Sequence, residues 1–199
     1  MLFKSGARLF RFRILQLEHV PAIGPFIVAC NHISYFDPPL VGAAIPREIN
    51  FMAKKELFKN KLFGKLLGRV NAHPINRGGF DKAALNTAIR ILKTGQAILI
   101  FPEGTRAKYG DFLPPRPGIG LIAIKTIVPV IPAYINGTNQ LRACLLGRER
   151  MGVIFGKPFS QEEIAGYQDN KGDYQKLAGE IMERIRSLKE KFSNWDKRS

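Results

Sequence analysis

Apolar positions in this chain follow two alternating patterns. Short continuous runs, FIVAC at 26–30 and QAILIF at 96–101, read as strands buried on both faces. Other stretches repeat apolar residues at helical spacing. Asp81 to Lys93 is one such helix, ended near Gly95, and GIGLIAIK predicts another at about 118–126. Leu177, Ile181, Ile185, Leu188 and Phe192 mark a long amphipathic C-terminal helix, and SQEE at 160–163 has the spacing of a capping box for a short helix before it. Phe12 to Glu18 alternates apolar and polar residues as a strand does, and further strands are expected near 49–53 and 151–156. VPVIPAYI also reads as a strand, with Pro129 and Pro132 implying an edge or irregular position. A helix is expected to begin after Asp37, because Asp is a favoured N-cap and Pro38 suits the first helical position. Strands alternating with helices predict an α/β sandwich around a largely parallel central sheet, flanked by helices.

Two segments combine apolar and basic residues. Within 2–11, Lys4, Arg8 and Arg11 fall on one side of a helical wheel and Leu2, Phe3, Leu9 and Phe10 on the other, which predicts a short amphipathic N-terminal helix of the interfacial kind. From Lys54 to Arg77, seven basic residues face one acid, Glu56, and Leu57, Phe58, Leu62, Phe63, Leu66 and Leu67 recur at helical spacing. That stretch suits anionic headgroups, and a packed helix with a solvated lysine face explains it equally well.

Composition narrows the partners. With 199 residues, 45% of them hydrophobic, the chain is long enough for one sizeable core and reads as a single domain over 1–199. Its net charge of +15 points to an anionic membrane or a nucleic acid. Cys30 and Cys144 show neither disulfide nor zinc-site spacing, so a reducing, cytoplasmic setting and no metal are expected. No run is long and apolar enough for a spanning helix, and no signal peptide is evident, so any membrane contact is expected to be peripheral.

The chemistry concentrates in two places. NHISYFDP at 31–38 sets His32 and Asp37 five positions apart, at a predicted strand end and helix start. A histidine takes a hydroxyl proton near neutral pH, and a carboxylate on its other nitrogen fixes the tautomer. On spacing alone, a helix-capping Asp37 beside a structural His32 stands as an equal alternative. FPEGTR at 101–106 places a glycine between an acid and an arginine at the end of a buried strand, where open α/β sheets bind ligands. Arg106 is the natural phosphate partner through its two parallel donors. Cys30, two residues before His32, permits a Cys–His acyl-enzyme in principle, although a buried strand cysteine is usually inert packing. GIGLIA at 118–123 fits a loose dinucleotide fingerprint but follows PPRP rather than a strand, and Gly-x-Ser-x-Gly, Walker A and His-Glu-x-x-His motifs are absent.

NHISYFDP, PINR (74–77), FPEGTR and VIPAY (130–134) occur in the order and approximate spacing of the four motif blocks of the glycerolipid acyltransferases, so the chain resembles the bacterial 1-acylglycerol-3-phosphate acyltransferases over roughly residues 12–160. On this view 1–11 is a membrane-surface segment, 12–160 the family-like core and 161–199 the C-terminal helices. The resemblance implies that His32 and Asp37 are catalytic and that Arg106 and Arg77 hold the substrate phosphate. It also implies that Glu103 accepts a hydrogen bond from a glycerol hydroxyl, with Gly104 and Thr105 completing the pocket and Lys54 a further phosphate candidate. Val130, Ile131 and Pro132 are expected to form an apolar wall. The implied reaction carries a fatty acyl group from an acyl-CoA or acyl carrier protein thioester to the sn-2 hydroxyl of lysophosphatidate, giving phosphatidate for phospholipid synthesis. It needs no cofactor and takes place peripherally on the anionic cytoplasmic face of the cell membrane. Many relatives carry hydrophobic helices before the first block, whereas only about thirty residues precede His32 here. Glycerol 3-phosphate or another lysolipid is the alternative acceptor. From other classes, a lipid-binding scaffold without turnover and a basic nucleic-acid-binding protein compete; the latter leaves His32, Asp37 and EGTR unexplained, so no nucleic acid partner is expected.

Overall fold

The computed structural model describes residues 12–59, 65, 67–68, 71–75, 81–107 and 112–196. Seven strands form one sheet: β1 (Arg13–Leu15), β2 (Ile27–Cys30), β3 (Ile49–Lys54), β4 (Ala72–Ile75), β5 (Ala97–Ile100), β6 (Val130–Asn136) and β7 (Gly152–Phe155), in the spatial order β1-β7-β6-β2-β5-β3-β4. Every neighbouring pair is parallel except β6 with β7. The expected largely parallel sheet is therefore present, with β7 and β1 running against the rest.

Strand alternation feeds two cores. Ile27, Ala29, Ile98, Val130 and Tyr134 point into one, against the buried faces of α2 (Lys82–Lys93), α3 (Gly118–Thr126) and α6 (Lys171–Asp196). Val28, Cys30, Leu99, Ile131 and Ala133 point into the other, under Val41 and Ala44 of α1 (Asp37–Ala44). Leu177, Ile181, Ile185, Leu188 and Phe192 are all buried, as their spacing predicts. Two short helices, α4 (Leu141–Leu145) and α5 (Gln161–Ala165), complete the fold, and Ser160 and Glu163 form both halves of the expected capping box. Asp81 caps α2 through Ala84 N–H, and Gly95 turns out of it at φ +80°.

The glycines of GIGLIA serve packing rather than a nucleotide. Gly118 and Gly120 lie inside α3, and a Cβ on Gly120 would stand 2.0 Å from the Tyr174 carbonyl oxygen of α6, so only glycine admits this approach.

Four expectations change. The strand expected over Phe12 to Glu18 is only Arg13–Leu15, because Gln16 turns left-handed at φ +56° into a 3-10 turn at Leu17–His19. Strand β6 is interior, between β2 and β7, so the edge alternative fails, while the irregular one holds because its pairing is interrupted at Pro132. Val130 exchanges both backbone bonds with Phe159, and Pro132 accepts from Gly156 N–H, so its missing donor falls in the gap between the end of β7 and the Phe159 bridge. The helix expected after Lys54 starts as a 3-10 turn, Lys55–Phe58, and most of its continuation lies outside the described residues. Helix α1 starts at Asp37 itself, whose carboxylate turns back toward His32 instead of capping. The amphipathic segment 1–11 lies outside the described residues.

Candidate active site

Strands β6, β2, β5, β3 and β4 run side by side in one direction, and the expected site residues emerge from their carboxyl ends. His32 follows β2, Glu103 to Arg106 follow β5, and Lys54 ends β3. Arg77, which follows β4 in the chain, lies outside the described residues.

Asn31 makes the exit from β2 possible. Its side chain donates to Ile135 C=O (3.1 Å) and accepts from Ile135 N–H (2.8 Å), extending the ladder with a side chain while the backbone leaves the sheet. His32 then sits buried, its ring stacked on Phe101 with centroids 4.0 Å apart. Its Nδ1 lies 2.7 Å from Asp37 Oδ2. The same Oδ2 accepts from Ile33 N–H and Ser34 N–H, each at 2.7 Å, and Thr138 Oγ1–H donates to Oδ1. Asp37 is fully buried, and these donors compensate a charge that burial would otherwise disfavour. An all-acceptor carboxylate requires the proton on Nδ1, which leaves the Nε2 lone pair of His32 as the basic site.

Glu103 is almost fully buried and braces the base from the other side. Oε1 accepts from His32 N–H at 3.0 Å and Oε2 from Leu113 N–H at 2.9 Å, while Ala107 N–H donates to His32 C=O at 2.7 Å. Burial pushes the Glu103 carboxyl up from its ordinary range, opposed by the Leu113 and His32 N–H groups. Its oxygens thus serve backbone donors, and a glycerol hydroxyl would have to use a second lone pair.

The EGTR turn is open above this brace. Gly104 adopts φ +69°, and a Cβ there would lie 2.9 Å from both Cδ and Nε of Arg116. Arg116, which the sequence did not single out, is fixed by its N–H on Pro102 C=O at 2.8 Å and lays its side chain across the turn. The Arg106 guanidinium rests 3.6 Å from the ring centroid of Tyr35, and Thr105 is exposed. Lys54 is half-exposed and 3.7 Å from Glu56. Thr138 was missed as well, since a threonine 101 residues from Asp37 carries no local signal. Burial raises the Cys30 thiol well above its usual range, reinforced by the charges of Asp37 and Glu103, which suppresses the thiolate an acyl-enzyme would need. Among the described residues no cluster of three or more His, Cys, Asp or Glu side chains could hold a metal ion, and no helix is long and apolar enough to cross a membrane.

The comparisons with known proteins agree on one family. The acyltransferase family model matches residues 11–136. A 1-acyl-sn-glycerol-3-phosphate acyltransferase of Bacillus subtilis is 32% identical over 90% of this chain and 89% of its own length. One from Streptococcus pneumoniae is 30% identical over 85% of this chain, which spans 62% of that relative. The crystal structure of the lysophosphatidate acyltransferase PlsC from Thermotoga maritima superposes with a TM-score of 0.72 at 27% identity, covering 95% of this chain and 77% of that one. A mostly parallel sheet with His32, Asp37 and the EGTR turn gathered at its carboxyl edge, matched along most of the chain by these relatives, places this protein in the acyltransferase family.

Proposed function

We propose that this chain is a 1-acylglycerol-3-phosphate O-acyltransferase, joining a fatty acyl group from a coenzyme A or acyl carrier protein thioester to the sn-2 hydroxyl of lysophosphatidate. The observation that carries the reading is the buried His32–Asp37 pair, 2.7 Å apart, beside a turn flanked by Arg106 and Arg116. The names of the relatives support the substrate.

In this reading Nε2 of His32 removes the proton of the acceptor hydroxyl as its oxygen attacks the thioester carbonyl. Collapse of the tetrahedral adduct breaks the carbon–sulfur bond, and the departing thiolate takes the proton back from His32. Asp37 holds the ring and stabilises the imidazolium; such acid–base help typically supplies about 10²- to 10⁴-fold. Arg106, Arg77 and Arg116 hold the phosphate, with Lys54 further along the same edge, and Gly104 and Thr105 line the turn. Glu103 fixes the backbone of the base and offers its remaining lone pairs to the glycerol. An anionic bilayer, at the cytoplasmic face of the cell membrane, supplies the acceptor to a peripherally bound enzyme, and no cofactor takes part.

The test is acyl transfer from labelled long-chain acyl-coenzyme A or acyl carrier protein to lysophosphatidate and to glycerol 3-phosphate, with His32→Ala alongside. Transfer to lysophosphatidate that disappears in the variant is expected. Preference for glycerol 3-phosphate would reassign the acceptor, and activity surviving in His32→Ala would refute the mechanism.

A further inference from the structure

Among the described residues, seven large apolar side chains stand exposed, and four of them belong to the two segments that meet at Asp37. Tyr35 (67% exposed) and Phe36 (51%) lie between His32 and Asp37. Leu145 (57%) and Leu146 (66%) end α4, which begins three residues after Thr138, the donor to Asp37 Oδ1. Burying apolar surface is the main stabilising effect in folding, so a concentration of exposed apolar side chains around a catalytic pair marks a contact surface.

The backbone that carries the exposed leucine pair is fixed by its own hydrogen bonds. Leu146 N–H donates to Arg142 C=O at 3.1 Å, Gly147 N–H to Cys144 C=O at 3.1 Å and Arg148 N–H to Ala143 C=O at 2.8 Å. The Cys144 thiol donates to Gly137 C=O at 3.3 Å, tying α4 to the loop that carries Thr138, and Gly147 at φ +69° turns the chain away. The end of α4 is thus a fixed, hydrogen-bonded knuckle.

Its surroundings are basic. Arg142 and Arg148 are exposed on either side of the leucines, and on the other segment Arg106 lies over Tyr35. The acid of this stretch, Glu149, faces inward, where Oε1 accepts from Asn136 Nδ2 and Arg150 N–H. Apolar tips, an aromatic ring and arginines, with the acid turned away, complement a bilayer that presents anionic headgroups above acyl chains. A nucleic acid would use the arginines and leave the leucines without a partner.

We infer that the rim formed by Tyr35, Phe36, Leu145 and Leu146, with Arg142 and Arg148, is the surface that docks on an anionic bilayer. Docking there sets the leucines at the headgroup–acyl boundary and opens His32 toward the membrane plane, so a lysolipid reaches the base without entering water. The inference rests on the reading of the acceptor as a lysolipid, and it assigns docking to this rim rather than to the basic segments 2–11 and 54–77 alone.

The experiment is flotation of the full chain with vesicles of phosphatidylcholine containing phosphatidylglycerol, and with phosphatidylcholine alone. Wild type is compared with Leu145→Gln/Leu146→Gln and with Arg142→Gln/Arg148→Gln, each also assayed on short-chain lysophosphatidate below its micellar concentration. The leucine variant is expected to lower partitioning on the order of 10- to 100-fold. The arginine variant is expected to lower it about fivefold per residue on anionic vesicles only, an effect that fades at high salt. Both are expected to keep the wild-type rate on the dissolved acceptor. Wild-type partitioning by the leucine variant would overturn the inference while leaving the enzyme intact. A change in its sedimentation without a change in partitioning would also overturn it, assigning the leucines to a second copy of the chain. Leucine-dependent binding with no acylation of either acceptor would instead uphold the surface and refute the catalytic reading.

Discussion

Asp37→Asn separates the charge of the carboxylate proposed to orient His32 from its geometry. Oδ2 receives three donors, His32 Nδ1, Ile33 N–H and Ser34 N–H, whereas Oδ1 receives only the Thr138 hydroxyl. An asparagine oxygen at the Oδ2 position keeps all three, and its amide nitrogen then faces a hydroxyl that reverses and accepts. Exchanging charged for neutral hydrogen bonds costs about 1–2 kcal/mol, a fall in Tm of roughly 2–8 °C for a chain of this size. Asp37→Ala, by contrast, strands at least two buried N–H donors at about 1–3 kcal/mol each and should fall considerably further. In Asp37→Asn the ring stays in place but the developing imidazolium loses its counter-charge. The expected result is a kcat lower by about 10²- to 10⁴-fold, equivalent to about 3–5 kcal/mol of barrier, with near-native circular dichroism. The assay is thioester consumption under saturating acceptor, beside a thermal melt. An Asn variant with wild-type kcat would refute the role of the charge, and one as unstable as Asp37→Ala would refute the hydrogen-bond assignment.

Other perturbations test other parts of the site and fold. Gly104→Ala forces a side chain into a left-handed position and displaces Arg116, so KM for lysophosphatidate should rise about 10-fold, the loss of one charged contact, with kcat largely kept. Because burial and neighbouring carboxylates raise the Cys30 thiol, and burial raises Cys144, neither should react with a thiol reagent at pH 8 until the chain is denatured, and Cys30→Ala should stay active; labelling of native Cys30 would revive an acyl-enzyme. Burial, aided by Arg90, lowers the His73 imidazole; the unfolded chain therefore takes up the proton first, and stability should decline as pH falls below about 6.5, a decline that His73→Gln should lessen in pH-dependent melts. Gly120→Ala drives a Cβ into the Tyr174 carbonyl and should lower Tm sharply, whereas Gly179→Ala, with open space around it, should raise stability by about 0.5–1 kcal/mol.

What could be read from the chain depended on how local the determining forces were. The buried strands, the capping box at Ser160 and the apolar stripe of α6 follow from near neighbours, and the structure contains them. His32 and Asp37 were legible because a strand end and a helix start five residues apart leave one short turn between them. Asp37 still misled as a cap: the N–H groups it accepts belong to Ile33 and Ser34, before the helix, and the same residue type suits both uses. Pro132 correctly signalled an irregular position, and the edge alternative failed because β7 supplies a partner strand that ends before it. Thr138 and Arg116 were invisible for opposite reasons. The first acts across 101 positions, and the second is one cation among 31 Lys and Arg residues until Gly104 shows where it rests.

The clamp on His32 by Glu103 and Ala107 bears on how such a site can diverge. Three backbone groups of the base and of the loop beyond it are fixed from within the turn after β5, while on the outer side of that turn Arg106 lies over Tyr35 and Arg116, from just before α3, lays its side chain across Gly104. Under the proposed function, substitutions among these outer groups would retune which acyl acceptor is held without moving the proton-transfer geometry beneath them. Anchorage and recognition are separable traits on one loop, and a lineage can explore new headgroups while inheriting the same chemistry.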